Sequence, residues 1–549
     1  FRSSASAYLN RTFTTPTNNL KWTWSAWIKR GKLATANQSV FSQHTDASNR
    51  ADLYFDAGDN LNFYNLVAGT VAPNPQWITT QVFRDPAAWY HIVVVWDSAN
   101  ATAGDRTIIY VNGVRVTAYS QGGTVSLNQS SRINSATLHN IAYFQNASAF
   151  YDGYLTEINF IDGQALTPSS FGENNAVTGV WQPKKYAGTY GTNGFYLNFS
   201  DNSNNTAATI GKDYSGNGNN WTPNNISVTA GATYDSMLDV PTPYADGGNG
   251  RGNYCTLNPL ATSTIYTTSK ANLQVSGAAT SSATHYCHGT LPVSTGKWYF
   301  EVTPTDVGGG PNIYVGVKLP NTSVNNVGAI NTIQNGYGYG GDGTKISSGV
   351  VAYGATYTNN DVVGVALNLD AGTIVFYKNN VSQGTAFTGL TGEFVPVIAM
   401  SVGGTARTIA AEVNFGQRPF TYTPPTGFVA LNTQNLPTPT ISNGAQYMAA
   451  TTYTGTGSAL TIANTIGNAS FQPDLVWVKG RSGATDHAWY DAVRGVQKQL
   501  ESNATAAETT ETTGLTAFGT TGFTIGALAQ MNTNAATYVG WQWNAGGST

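Results

Sequence analysis

Trp89-Tyr-His-Ile-Val-Val-Val-Trp96, followed by Thr107-Ile-Ile-Tyr-Val-Asn112-Gly113-Val-Arg-Val116, decides how the rest of the chain reads. The first run is short, apolar and β-branched, which fits a strand buried on both sides. The second alternates and then turns at Asn112-Gly113, a pair that accepts the positive φ angles of a tight hairpin at little steric cost. Outward from this hairpin, Trp22-Thr-Trp24-Ser-Ala-Trp27-Ile28 repeats every second residue, with its aromatic side chains expected on one face. Comparable strands are expected at residues 153–160, 296–302, 361–367, 373–380 and 412–416. The predicted fold class is therefore all-β: tandem β-sandwiches followed by a small β-rich C-terminal domain.

A chain of 549 residues is too long for one hydrophobic core. Four segments are expected: a sandwich over 1–176, an Asn/Gly-rich connecting segment over 177–252, a second sandwich over 253–432 and the small domain over 433–549. Charged residues are only 10% of the chain, so the surface relies on Ser, Thr, Asn and Gly, which suits turns and strands better than long helices. With a net charge of −3 and no basic stripe, no nucleic-acid partner is expected. No apolar run approaches the length of a bilayer crossing, so no membrane insertion is expected either. The two cysteines, Cys255 and Cys287, exclude a disulfide scaffold and leave open whether they are bridged or are reduced core thiols. The opening at Phe1 reads as a trimmed, mature or fragmentary chain.

Three groups of motifs carry resemblances. "WSAWIKRG" (24–31), "WYHIVVVWD…IIYVNGV" (89–114) and "GYLTEINFIDGQALTPSSF" (153–171) together resemble the laminin G-like, concanavalin A-like sandwich. "GKWYFEV", "YVGV", "NDVVGVALNLDAGTIVFYKNN" and "FVPVIAMS…AEVNFGQRPF" follow in an order that looks like a SPRY domain. The bridge between them, and "PDLVWVKGRSG", "HAWYDAVRGVQKQLESNAT" and "TYVGWQWNAGG" near the end, resemble segments of tailed-bacteriophage virion and tail proteins.

Candidate sites divide into binding, metal and catalytic readings. Tyr337, Tyr339 and Asp342 lie in a Gly-rich run expected to be a loop, as is Gly308-Gly-Gly310; the three side chains either rim a ligand-binding face or, for the two tyrosines, pack in the core. Asp213, Ser215 and Asn217 have the spacing of the first half of a calcium loop, but Asn224 stands where a bidentate acid is needed. Calcium is therefore a weak candidate beside a plain Asx turn, and no other cofactor is expected. Glu157, Asn159 and Asp162 echo the paired acids of concanavalin A-like glucanases, with an amide replacing the central acid. His285, Cys287 and His288, with Cys255, lack any metal-ligand spacing, and His487 has no nucleophile motif near it.

No catalytic residue and no enzymatic activity are expected. The resemblance implies a bacteriophage virion structural protein, a tail fibre or surface appendage for host attachment and glycan binding. The expected location is the outer surface or tail of the virion, outside the cell. Other phage structural proteins and a host cell-surface glycan or receptor are the implied partners, with a homo-oligomer, a trimer favoured. The alternatives are a capsid-surface decoration protein or a secreted bacterial glycan-binding protein or glycanase.

Overall fold

The Lys21–Arg30 strand shows how the first sandwich is made. Trp22, Trp24, Ala26 and Ile28 point into one hydrophobic core, and pairing with Trp89–Asp97 runs without interruption from Lys21 opposite Asp97 to Lys29 opposite Trp89. Strict alternation sends Trp27 to the opposite face from Trp22 and Trp24, where it stacks on His91 at 5.0 Å. The aromatic residues of this run thus divide between two faces. Asn112 and Gly113 have φ of 48° and 82°, and Val111 pairs with Val114 across the predicted hairpin.

In the computed structural model, the described residues are all except 35, 69–75, 242–250, 280–282, 309, 311–312, 321, 328–332, 403–406, 465–469 and 546–549. The protein is all-β, built from mainly antiparallel sheets with a single short α-helix, Ala529–Asn532, among the described residues. Its chain divides into two compact units, Phe1–Phe171 with Pro183–Pro437, and Gly172–Gln182 with Thr438–Thr549.

The first unit holds two sandwiches. In the first, a six-stranded sheet centred on Gly153–Asp162, Lys21–Arg30 and Trp89–Asp97 packs on an eight-stranded sheet. Two pieces of the expected connecting segment over 177–252 are built into this sandwich. Phe195–Leu197 forms one edge of the six-stranded sheet, against Gly153–Asp162, and Thr222–Asn224 forms an edge of the eight-stranded sheet, against Tyr8–Thr12. Trp221, fully buried, meets Phe195 at 4.9 Å and Phe13 at 6.0 Å inside the core. The second sandwich pairs a sheet around Ala283–Gly289, Val395–Val402 and Ile313–Lys318 with one around Lys297–Asp306, Arg407–Asn414 and Val363–Asn368.

The two sandwiches meet through buried polar groups. Lys29 and Asp239, both with wholly buried side chains, form an ion pair at 2.8 Å, and the Trp89 indole donates to Asp239 Oδ1 at 3.0 Å. Tyr154 Oη donates to the carbonyl of Ala271, and the Ala271 amide donates to Asp152 Oδ1. An uncompensated charge at such a place is costly, so each of these groups needs its partner.

The second unit places a six-stranded sheet, with Thr537–Trp543 and Leu475–Gly480 near its centre, against the three strands Leu460–Ala463, Gly522–Ile525 and Leu515–Gly519. Among the described residues no helix is long and apolar enough to cross a membrane.

Candidate binding site

Gly336–Gly340, expected to be a loop, is a strand paired with Ile313–Lys318. Its glycines are required by close approach. A side chain at Gly336 would meet the Val317 carbonyl at 2.5 Å, and one at Gly338 would meet Ile333 Cδ1 at 2.4 Å. Alternation then puts Tyr337 and Tyr339 on the same, inward face. Tyr339 is fully buried among Tyr353, Tyr357 and Phe376, with ring centroids 5.0–5.5 Å away, and its hydroxyl donates to the Ala355 carbonyl. Burial pushes this phenol up to about 12. Tyr339 therefore belongs to the core and not to a rim. Asp342 closes a turn, accepting from the amide and hydroxyl of Thr344 at 3.0 and 2.6 Å.

Tyr337 alone of the three borders a cleft. Its half-buried ring lies 5.0 Å from Phe387 and 5.9 Å from Phe394. The cleft has a volume of about 590 Å³; Leu319, Ile333, Tyr337 and Phe394 supply its apolar surface. Gln334, Asn335, Ser347, Ser348 and Thr391 add uncharged polar groups, and no described lining residue is charged. Such a cleft offers apolar surface with a few polar groups able to orient what fills it. Beside it, Lys318 is buried with its ammonium donating to the Gln334 carbonyl and standing 4.8 Å above the Tyr286 ring. Burial pulls this lysine down to about 8. Sequence periodicity gave no sign of the cleft, because its walls come from positions far apart in the chain.

The calcium candidates form a hydrogen-bonded turn. Asp213 Oδ1 accepts from the amides of Tyr196 and Ser215, and Oδ2 from the Ser215 hydroxyl and the Asn219 amide, all at 2.8 Å. Asn217 turns its Nδ2 toward the carbonyls of Gly191 and Gly194. The carboxylate thus faces donors where a cation would need oxygens. Among the described residues no three His, Cys, Asp or Glu side chains converge to hold a metal ion.

The carboxylates of Gly153–Asp162 are also engaged internally. Asp162, 1% exposed, accepts from the amides of Thr17, Asn18 and Asn193 and from Asn134 Nδ2. Glu157 sits at an irregularity in the pairing with φ of 52° and accepts from the Tyr196 hydroxyl at 2.7 Å. Asn159 Oδ1 accepts from the Tyr190 hydroxyl. Cys255 and Cys287 are buried free thiols, which burial pushes up to about 11 and about 12. His285 Nδ1 is 3.0 Å from the Ser263 hydroxyl, His288 is buried, and His487 Nδ1 accepts from the Trp477 indole.

These sheets and this cleft define the class: a laminin G-like, concanavalin A-like sandwich joined to a SPRY sandwich. The sequence matches the concanavalin A-like lectin/glucanases superfamily over residues 3–170, the SPRY domain over 297–418 and a domain of unknown function over 443–549. Ran-binding protein 10 of Danio rerio is 35% identical over 148 residues, 26% of this chain and 23% of that protein. Ran-binding protein 9 of Homo sapiens is likewise 35% identical over 148 residues, 26% of this chain and 19% of its own length. The match thus spans about a quarter or less of these curated relatives. The solved SPRY domain of human HERC1 is 16% identical, covering 30% of this chain and 99% of that one, with a TM-score of 0.26, too low to carry an argument.

These relatives overturn the expected bacteriophage virion protein. They are Ran-binding proteins of animals, not phage components. The expected tail-fibre or decoration role, the virion or extracellular location, and the phage-protein and host-glycan partners are withdrawn with it, as is the trimer expected of an attachment fibre.

Proposed function

We propose that this chain is a non-catalytic recognition protein whose SPRY cleft captures an extended segment of a protein partner through one apolar or aromatic side chain. The observation that carries this reading is the uncharged cleft between Leu319, Ile333, Tyr337 and Phe394, with hydroxyl and amide groups around it. The similar Ran-binding proteins carry a name that describes binding to another protein; a protein is accordingly the class of ligand we assign. Binding without chemistry is supported by Asp162 and Glu157, whose carboxylates are occupied by internal donors.

Peptides selected against the full chain from a random displayed library test the reading. Ser348→Trp and Thr391→Trp, both at exposed lining positions, fill the cleft without touching the core. Each should weaken the selected peptides at least about tenfold, near 1.4 kcal/mol. Peptides that bind both variants as well as the parent would place recognition elsewhere.

A further inference from the structure

The junction of the two sandwiches brings an amine, a carboxyl group and an amide together, the first two wholly buried and the amide of Asn253 half-buried. Lys29, on the Lys21–Arg30 strand of the first sandwich, directs Nζ to Asn253 Oδ1 at 2.7 Å and to Asp239 Oδ2 at 2.8 Å. It also donates to the Tyr254 carbonyl at 2.9 Å. The side chains of Lys29 and Asp239 have no exposure to solvent. The Tyr154 ring lies 5.4 Å from Nζ, and the Trp89 indole holds Asp239 from the other oxygen. Asn253 is fixed as well: its Nδ2 donates to the Ala87 carbonyl at 2.6 Å, which turns Oδ1 toward the amine.

We propose that Lys29 and Asn253 become joined by an isopeptide bond, formed spontaneously with Asp239 as proton relay. Burial pushes the Asp239 carboxyl up, and across the 2.8 Å contact it takes a proton from Nζ. The free Nζ electron pair then attacks Asn253 Cγ, forming the Nζ–Cγ bond. Asp239 passes its proton to Nδ2 and takes a second one from Nζ, the Cγ–Nδ2 bond breaks, and ammonia leaves. Amine and amide give a secondary amide and ammonia, so no oxidant, cofactor or external reagent is needed. The fixed contact replaces a bimolecular encounter, the source of the large effective concentrations in well-oriented intramolecular reactions. The bond would tie together positions 224 residues apart and make the junction permanent.

The intact mass of the denatured full chain decides the matter without any variant. It should fall below the sequence mass by one ammonia, and proteolysis should release a branched peptide carrying Lys29 and Asn253. Lys29→Arg and Asn253→Ala should return the unshifted mass. Asp239→Asn, checked for folding by circular dichroism, should also stay unlinked. A parent chain at its full sequence mass would overturn the proposal. Loss of a water, with Lys29 joined to Asp239, would overturn the choice of Asn253. Complete ammonia loss in folded Asp239→Asn would overturn the relay.

Discussion

Replacing Trp221 with Ala tests whether residues 195–224 are structural parts of the first sandwich. Trp221 is fully buried, with Phe195 at 4.9 Å, Phe13 at 6.0 Å and Phe41 at 6.4 Å around its ring. Truncation removes an indole from a closed aromatic cluster, and such losses cost about 3–5 kcal/mol through lost burial and the cavity left behind. At about 1.4 kcal/mol per factor of ten, amide exchange limited by opening of this sandwich should accelerate by roughly two orders of magnitude or more. Hydrogen exchange read by mass spectrometry on the intact chain follows this strand by strand. Acceleration is expected at Tyr8–Thr12 and Gly153–Asp162, whose edges this segment completes, and at Leu138–Ile141 beside the first of them, and not in the second unit. A change below about 1 kcal/mol at those strands would refute the placement of Trp221 in the core.

Further outcomes follow from the buried ionisable groups. His91 and His139 are both pulled down to about 3 by burial, so the unfolded chain binds protons first as pH falls. Stability of the first sandwich should be full above about pH 6.5 and be lost toward pH 3, by on the order of 4 kcal/mol per histidine; urea midpoints against pH in His91→Gln should show a shallower loss. Lys318, lowered to about 8, leaves the unfolded state holding the extra proton above that pH. Stability of the second sandwich should therefore rise from about pH 8 to 10.5, and Lys318→Met should flatten that rise. Asp59 accepts from Arg30 and Arg84, and the Arg30 and Asp59 side chains are wholly buried; Asp59→Ala should cost about 3–5 kcal/mol in chemical denaturation by stranding the Arg30 charge.

What could be read from sequence was set by local geometry. Asn112-Gly113 fixes its hairpin within a few residues, and the long alternating strands state their own period. Alternation puts Tyr337 and Tyr339 on one face, but which way that face looks depends on the opposing sheet. The Trp22–Ile28 run went astray on parity: an odd-numbered tryptophan cannot share a face with even-numbered ones in an unbroken strand. Phe195–Leu197 and Thr222–Asn224 are only three residues long, too short to show a period. Gly336–Gly340 looked like a loop because glycine is depleted in strands, whereas tight packing against Ile333 and the neighbouring strand demands it. The Lys29 cluster joins three distant positions through side-chain geometry alone, and periodicity carries no trace of it.

The late edge strands have a consequence for synthesis. The first sandwich is opened by Tyr8–Thr12 but cannot be closed until Thr222–Asn224 has left the ribosome. During that interval, the outer strands of both its sheets offer unpaired amides and carbonyls to any neighbouring nascent chain. Codon choice or a chaperone acting while residues near 225 emerge would then govern the yield of soluble protein more than the finished fold's own strength.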